Sequence, residues 1–341
     1  RYSEQPALAS AWEASQWGLA SGGDTPAFAG MHDAAAAICG ASVAGALAVW
    51  EGRAEQAFVA SGGLHHAMAN RAAGFCIYND TAVAIQALLD AGAERVAYID
   101  IDVHHGDGTQ WLFYEDPRVL SVSVHEHVRG FFPGTGGLGE RGVGAGLGTS
   151  LNVPLPPFAG DAPYLAAIER VVAPALRAFA PDVPVAHLGA DVHHADPLAH
   201  LEVTIGGLET AYAMLSDLAD EVSRGRFLNL SGGGYNPMTL GRIWALQLGA
   251  MRGEPRFVVD LIGIGNEISV GKPVRNGVVE DRCDRNGAAR LFQQRDSRIG
   301  GSLERTRRDR EIRRQRIIKP VVISKPCVRI RNHNQIPRPL R

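Results

Sequence analysis

The chain has 341 residues, 45% of them hydrophobic, and a formal net charge of -2. That is apolar material enough for one large core, and the four cysteines (Cys39, Cys76, Cys283, Cys327) show no paired spacing, so neither a disulfide framework nor a thiolate metal site is indicated. No run approaches the apolar length of a membrane span and no signal-peptide pattern opens the chain, so a cytoplasmic protein is expected, with no membrane partner.

In chain order, residues 31–50 (MHDAAAAICGASVAGALAVW) have helical composition, and a second helix is predicted over 80–92, ahead of a strand at 95–101. A strand at 118–124 leads to His125. Residues 162–180 read as helix, 183–189 as strand, 206–223 as helix, 226–230 as strand and 237–251 as helix. Strands alternating with helices of this length predict an α/β domain, a single open, mostly parallel sheet with helices on both faces. Beyond this body the composition breaks. Residues 275–341 carry 19 basic and 7 acidic residues where 1–274 carry 15 and 29, and no lysine precedes Lys272. Residues 1–253 therefore read as the folded domain and 254–341 as a basic tail, disordered or aberrant, as a shifted reading frame would produce. The competing reading of the tail is a basic arm for nucleic acid.

The most informative segment is Asp100-Ile101-Asp102-Val103-His104-His105-Gly106-Asp107, directly after the apolar run 96–99. Three carboxylates and two imidazoles stand where a buried strand runs out into a loop. Strand alternation puts Asp100 and Asp102 on one side with His104 continuing the series, and ligands at i and i+2 can chelate one divalent ion. A solvated acidic loop is the bland alternative, but a core strand does not normally end in so many unneutralised groups without an ion or a catalytic task. Two further segments converge on it: Gly62-Gly63-Leu64-His65-His66, a glycine turn with adjacent histidines, and the short strand 185–188 ending in Gly189-Ala190-Asp191. In an open α/β sheet the crevice lies at the carboxyl ends of the strands, so Asp191 should meet Asp102 and His104 there. Three protein ligands leave a position open for water, as in a catalytic metal site.

These segments, with Gly74-Phe75-Cys76-Ile77-Tyr78-Asn79-Asp80, Phe131-Phe132-Pro133-Gly134-Thr135-Gly136 and Gly232-Gly233-Gly234-Tyr235, fall in the order seen in the zinc-dependent histone deacetylases. The resemblance runs from about the first residues to roughly residue 252. It implies the arginase/deacetylase-like fold, here lacking an N-terminal portion that relatives carry. It further implies Asp102, His104 and Asp191 as metal ligands, with Zn2+ expected and Fe2+ or Co2+ also suited to an O/N/O set. His65 and His66 would supply a base for water and an acid for the leaving amine, oriented by Asp100 and Asp107 respectively. Tyr235 would bind the substrate carbonyl and the oxyanion. A fourth glycine of the family pattern is replaced by Ser231, which leaves the shape of that turn open.

By the same resemblance Gly74, Phe75 and Phe132 would line a narrow apolar tunnel for the methylenes of acetyl-lysine. A structural K+ would sit among Asp100, Asp102, His104, Ser123 and Val124, through the Ser123 side chain and backbone carbonyls. His193, His194 and His200 form another cluster, read as supporting or surface residues. The expected reaction is hydrolysis of acetyl-lysine amides. The resemblance is strongest to bacterial members serving acetoin and acetate metabolism, which implies a metabolic protein target, such as an acetylated acyl-CoA synthetase, rather than histones. The alternatives are acetylpolyamine amidohydrolysis, with a small acetyl-amine substrate, and nucleic-acid binding through the tail, against which the complete site argues.

Overall fold

The computed structural model describes residues 24–25, 27–253 and the backbone of 321–323, all within one compact unit. Its strands are β1 (Gln56–Val59), β2 (Val96–Asp100), β3 (Val119–Glu126), β4 (Ser150–Leu155), β5 (Val183–His187), β6 (Phe227–Leu230) and β7 (Val321–Ile323). The helices are α1 (Met31–Trp50), α2 (Asp80–Asp90), α3 (Asp107–Leu112), α4 (Asp161–Ala167), α5 (Ala173–Phe179), α6 (Ile205–Ser223) and α7 (Pro237–Met251). All strands pair in parallel, in the order β4-β3-β2-β5-β6-β1-β7.

Burial explains the elements. Every residue of β2 is buried, and its side chains divide between two cores: Ala97 and Ile99 join the cluster under α4 to α7, while Val96 and Tyr98 join the one under α1 and α2. A strand covered on both faces needs apolar residues at every position, which is why β2 reads as a continuous run. Asp100 has the parity of Tyr98 and ends the strand. From β2 the chain builds outward through β3 and β4, then returns to the other side of β2 with β5 and β6. The sheet therefore reverses direction between β2 and β5, and the crevice at such a switch point is where α/β sheets bind ligands.

The expected 162–180 helix is one rod whose middle, Ile168–Val172, is a π turn between α4 and α5. Strands 56–59 and 150–155 and the short helix 107–112 carry no clear periodicity. Pro154 in particular argues against a central strand, and among the described strands β4 stands at the sheet edge. One expectation is overturned: α1, with 20 residues and a mean hydropathy of 1.5, does reach the length and apolarity of a membrane span. Its alanines make it so. It packs on α2, β1 and β6, burying Ala35, Ser42, Gly45, Ala46, Ala48 and Val49, as a core helix would. The basic tail, apart from the three residues of β7, lies outside the described residues, as do Cys283 and Cys327.

Candidate active site

The ends of β1, β2, β5 and β6 bring the polar residues together. β2 stops at Asp100 and the backbone leaves in two successive turns. Asp100 Oδ1 accepts from the Asp102 amide at 3.1 Å, and Asp102 Oδ1 accepts from the His104 amide at 2.9 Å. Short acidic side chains make such bonds to the backbone two residues on. The alternation expected through His104 is thus replaced beyond Asp100 by this pair of turns.

Asp102, His104 and Asp191 converge as expected. His104 Nδ1 lies 3.2 Å from Asp102 Oδ1 and 3.2 Å from Asp191 Oδ2, and all three residues are buried. Asp191 Oδ1 accepts from the Val103 amide, whereas Asp191 Oδ2 faces His104 Nδ1 at 3.2 Å without a well-formed hydrogen bond among the described residues. A buried carboxylate oxygen left this way is costly unless a cation completes it. Burial works to depress His104, yet the neighbouring carboxylates of Asp102 and Asp191 outweigh it and push it up to about 10. Burial, then the charge of Asp102, raises Asp191 to about 6. Two carboxylates and an imidazole so disposed fit a divalent cation, which would replace the proton that they otherwise share.

The adjacent histidines form a second unit. His65 Nδ1 is 2.8 Å from Asp100 Oδ2, His66 Nδ1 is 2.7 Å from Asp107 Oδ1, and the two Nε2 atoms are 2.9 Å apart. The carboxylates assign a proton to each Nδ1, so the Nε2 contact is a hydrogen bond only when one ring holds a second proton. The pair is therefore an acid next to a base. Burial, then His66 and His187, holds His65 well below the usual imidazole range, and burial lowers His66 against the pull of Asp107. Tyr98 also donates to Asp100 Oδ2 at 2.5 Å. Burial lifts Asp100 to about 7, although the charge of His187 draws it back.

A cavity of about 210 Å³ opens over this unit, lined by His65, His66, Gly74, Phe75, Asp102, Gly233 and Tyr235 among others. Phe75 and Tyr235 meet edge to face at 5.8 Å, and Phe132 stands against His66 at 4.8 Å but is not itself among the residues lining the cavity. Burial, then Asp191 and Asp102, raises the Tyr235 hydroxyl, which stays protonated as a donor. Ser231 needs no glycine conformation; its hydroxyl donates to Ala60 O at 2.6 Å and ties β6 to β1. At Gly63, with φ of +97°, a Cβ would lie 2.6 Å from Gly232 Cα, so glycine is what lets the histidine turn touch the glycine turn.

Several residues have a supporting role that the sequence reading did not give them. Asp80, fully buried, accepts from the Gly63 and Leu64 amides and from Ser42, and Asn79 Nδ2 donates to His65 O and Ala67 O. These fix the turn that carries the histidines. Asp196 Oδ2 accepts from the Tyr235 amide at 2.7 Å and Asn236 donates to Ala195 O, which fix the tyrosine turn. Phe75 has φ of +65°, a strained setting for a bulky residue, with its amide donating to Thr25 Oγ1 and that of Gly74 to Asp24 Oδ2. Glu140 accepts from Gln110 and from the Gly136 amide, holding the loop that bears Phe132. Of the further histidines, His200 bonds the buried Glu126 at 2.8 Å and packs near Phe131, which stacks on His104. His193 is buried beside His194. Asp100 is in register with Ser123, whose hydroxyl donates to His125 Nδ1 at 2.9 Å. Cys76 is buried, and burial pushes its thiol up, as expected of a packing residue.

Residues 3–251 match the family model for the histone deacetylase domain. The chain belongs to that family, whose members are metal-dependent hydrolases. Among curated relatives, the acetoin utilization protein AcuC of Bacillus subtilis (strain 168) is 43% identical over 244 residues, 69% of this chain and 63% of that protein. AcuC of Staphylococcus xylosus is 39% identical over 243 residues, 71% of this chain and 63% of that protein. A crystal structure of acetylpolyamine aminohydrolase from Burkholderia pseudomallei superimposes with a TM-score of 0.63 at 34% identity, covering 68% of this chain and 66% of that one. The chain spans under two thirds of the length of each.

Proposed function

We propose that this protein is a soluble, cytoplasmic, metal-dependent lysine deacetylase of the AcuC type, hydrolysing acetyl-lysine amides on proteins to acetate and free lysine. The observation that carries the reading is the pair of buried histidines meeting at Nε2, each backed by a carboxylate, beside Asp102, His104 and Asp191. Asp102, His104 and Asp191 would hold the ion, with Zn2+ the best match by family and donor set. When bound, it would polarise the amide carbonyl and lower the pKa of water.

The chain's own groups then do the following. Phe75 and Phe132 present apolar faces to the methylenes of the lysine side chain, and Gly74 leaves room between them. One histidine Nε2 accepts a proton from the attacking water, and the other donates one to the leaving amine. Asp100 and Asp107 keep both Nδ1 atoms protonated, so that each Nε2 faces the substrate. The Tyr235 hydroxyl donates to the developing oxyanion. A K+ held by Ser123 and the carbonyls of Asp100, Asp102, His104 and Val124 would stiffen the metal loop.

The AcuC relatives favour a metabolic acetylated protein as substrate; the aminohydrolase neighbour makes a small acetylated amine the competitor. The deciding experiment is turnover of the Zn-loaded protein on acetyl-lysine peptides beside acetylated polyamines. Peptide kcat/KM should exceed that for the polyamines at least tenfold. The reverse ratio overturns the substrate assignment, and hydrolysis of neither overturns the activity.

A further inference from the structure

His187 is a buried imidazole at the end of β5 to which the reaction above gives no task. It touches both halves of the site. Its Nε2 lies 3.1 Å from Asp102 Oδ2, and its ring stacks on His65 with centroids 4.1 Å apart and planes at 22°. Asp102 Oδ1 faces His104 Nδ1, so Oδ2 is the oxygen that must be held if the carboxylate is not to rotate. Two donors hold it, His187 Nε2 and the Gly233 amide at 3.0 Å. His187 Nδ1, in contrast, is buried without a hydrogen-bond partner among the described residues. An apolar residue would fill the slot without leaving that atom unsatisfied, so an imidazole here must be offset by the bond at Nε2. The slot is also shaped for this ring. At Gly63 a Cβ would lie 3.1 Å from His187 Cε1, and a Cβ at Gly232 would collide with Nε2.

We propose that His187 is a positioning residue for the metal site: by donating to Asp102 Oδ2 it fixes the carboxylate so that Oδ1 is presented to the ion. This rests on the metal-site reading of Asp102, His104 and Asp191. It needs no change of protonation, since the neutral ring with hydrogen on Nε2 already donates. Partners of this kind behind a metal ligand typically set affinity by about 10–100-fold.

The test is Zn(II) affinity, measured on the full chain by competition with a chromophoric chelator, for the wild type and for His187→Gln, His187→Phe and His187→Met. Gln carries an amide donor at nearly the reach of Nε2, Phe keeps a stacking ring without a donor, and Met fills the space with neither. The expected result is loss of affinity by about 10-fold or more in Phe and Met, with Gln within about threefold of wild type. If Phe does not fold, Met against Gln gives the same comparison. Wild-type affinity in Phe or Met overturns the proposal. An equal loss in Gln overturns it too, because packing rather than the donor would then be at work. A wild-type chain that binds no Zn(II) refutes the metal-site reading instead, an outcome distinct from either.

Discussion

Asp107→Asn isolates the orienting carboxylate of one histidine. Asp107 Oδ1 is 2.7 Å from His66 Nδ1, both groups are buried, and Asn has nearly the same shape. The substitution removes charge and acceptor directionality without removing volume. A hydrogen bond to a charged group contributes about 1.5–3 kcal/mol, and it is strongest when the ring is an imidazolium, the state formed during proton transfer. At 1.36 kcal/mol per decade, kcat should fall by about 10- to 150-fold. An Asn that turns its NH2 towards Nδ1 would also favour the wrong tautomer and deepen the loss. The ligands Asp102, His104 and Asp191 are untouched, so bound zinc should stay stoichiometric and KM should change little. The assay is steady-state turnover of an acetyl-lysine peptide alongside metal content. A kcat within threefold of wild type would refute the role of Asp107. A drop accompanied by metal loss would make it a structural residue of the loop.

Tyr235→Phe keeps the ring that packs on Phe75 and removes the oxyanion donor; kcat should fall by about 100-fold or more at unchanged metal content, and wild-type turnover would remove the tyrosine from the reaction. Chelation should abolish hydrolysis and added Zn(II) restore it. Asp191→Ala should lose the metal while His66→Ala keeps it without turnover, as elemental analysis of both variants would show. Burial, then His105, holds His125 down at about 3, where its neutral ring donates from Nε2 to Gly136 O and accepts from Ser123. In the unfolded chain it protonates near 6.5, so its contribution to stability is complete above that pH and is lost as pH falls from about 6.5 towards 3, at about 1.4 kcal/mol per unit. From pH 7 to pH 5, denaturant unfolding should show the wild type losing about 2 kcal/mol more than His125→Gln. Equal losses would mean that the ring is not kept neutral.

The site was legible in the sequence wherever chemistry is carried by an unusual residue beside an apolar run. Asp102, His104 and Asp191 follow strands whose burial is written in their composition, and adjacent histidines after two glycines have few structural uses. Strand parity places Asp100 on the side of Tyr98, because a pleat has a fixed period of two. Beyond the last strand residue that period ends, and only the folded backbone shows that two turns built on Asp100 and Asp102 take over. The tertiary structure alone decided which residues do the holding. His187 lies 85 residues from Asp102, and Asp196 lies 39 from Tyr235, so nothing in their local sequence marks them as partners. Nor could composition separate α1 from a membrane span, since alanine is apolar enough for a bilayer and small enough for a tight core. The parallel order β2-β5-β6-β1 settled both matters, by bringing four strand ends to one edge and giving α1 a protein surface to cover.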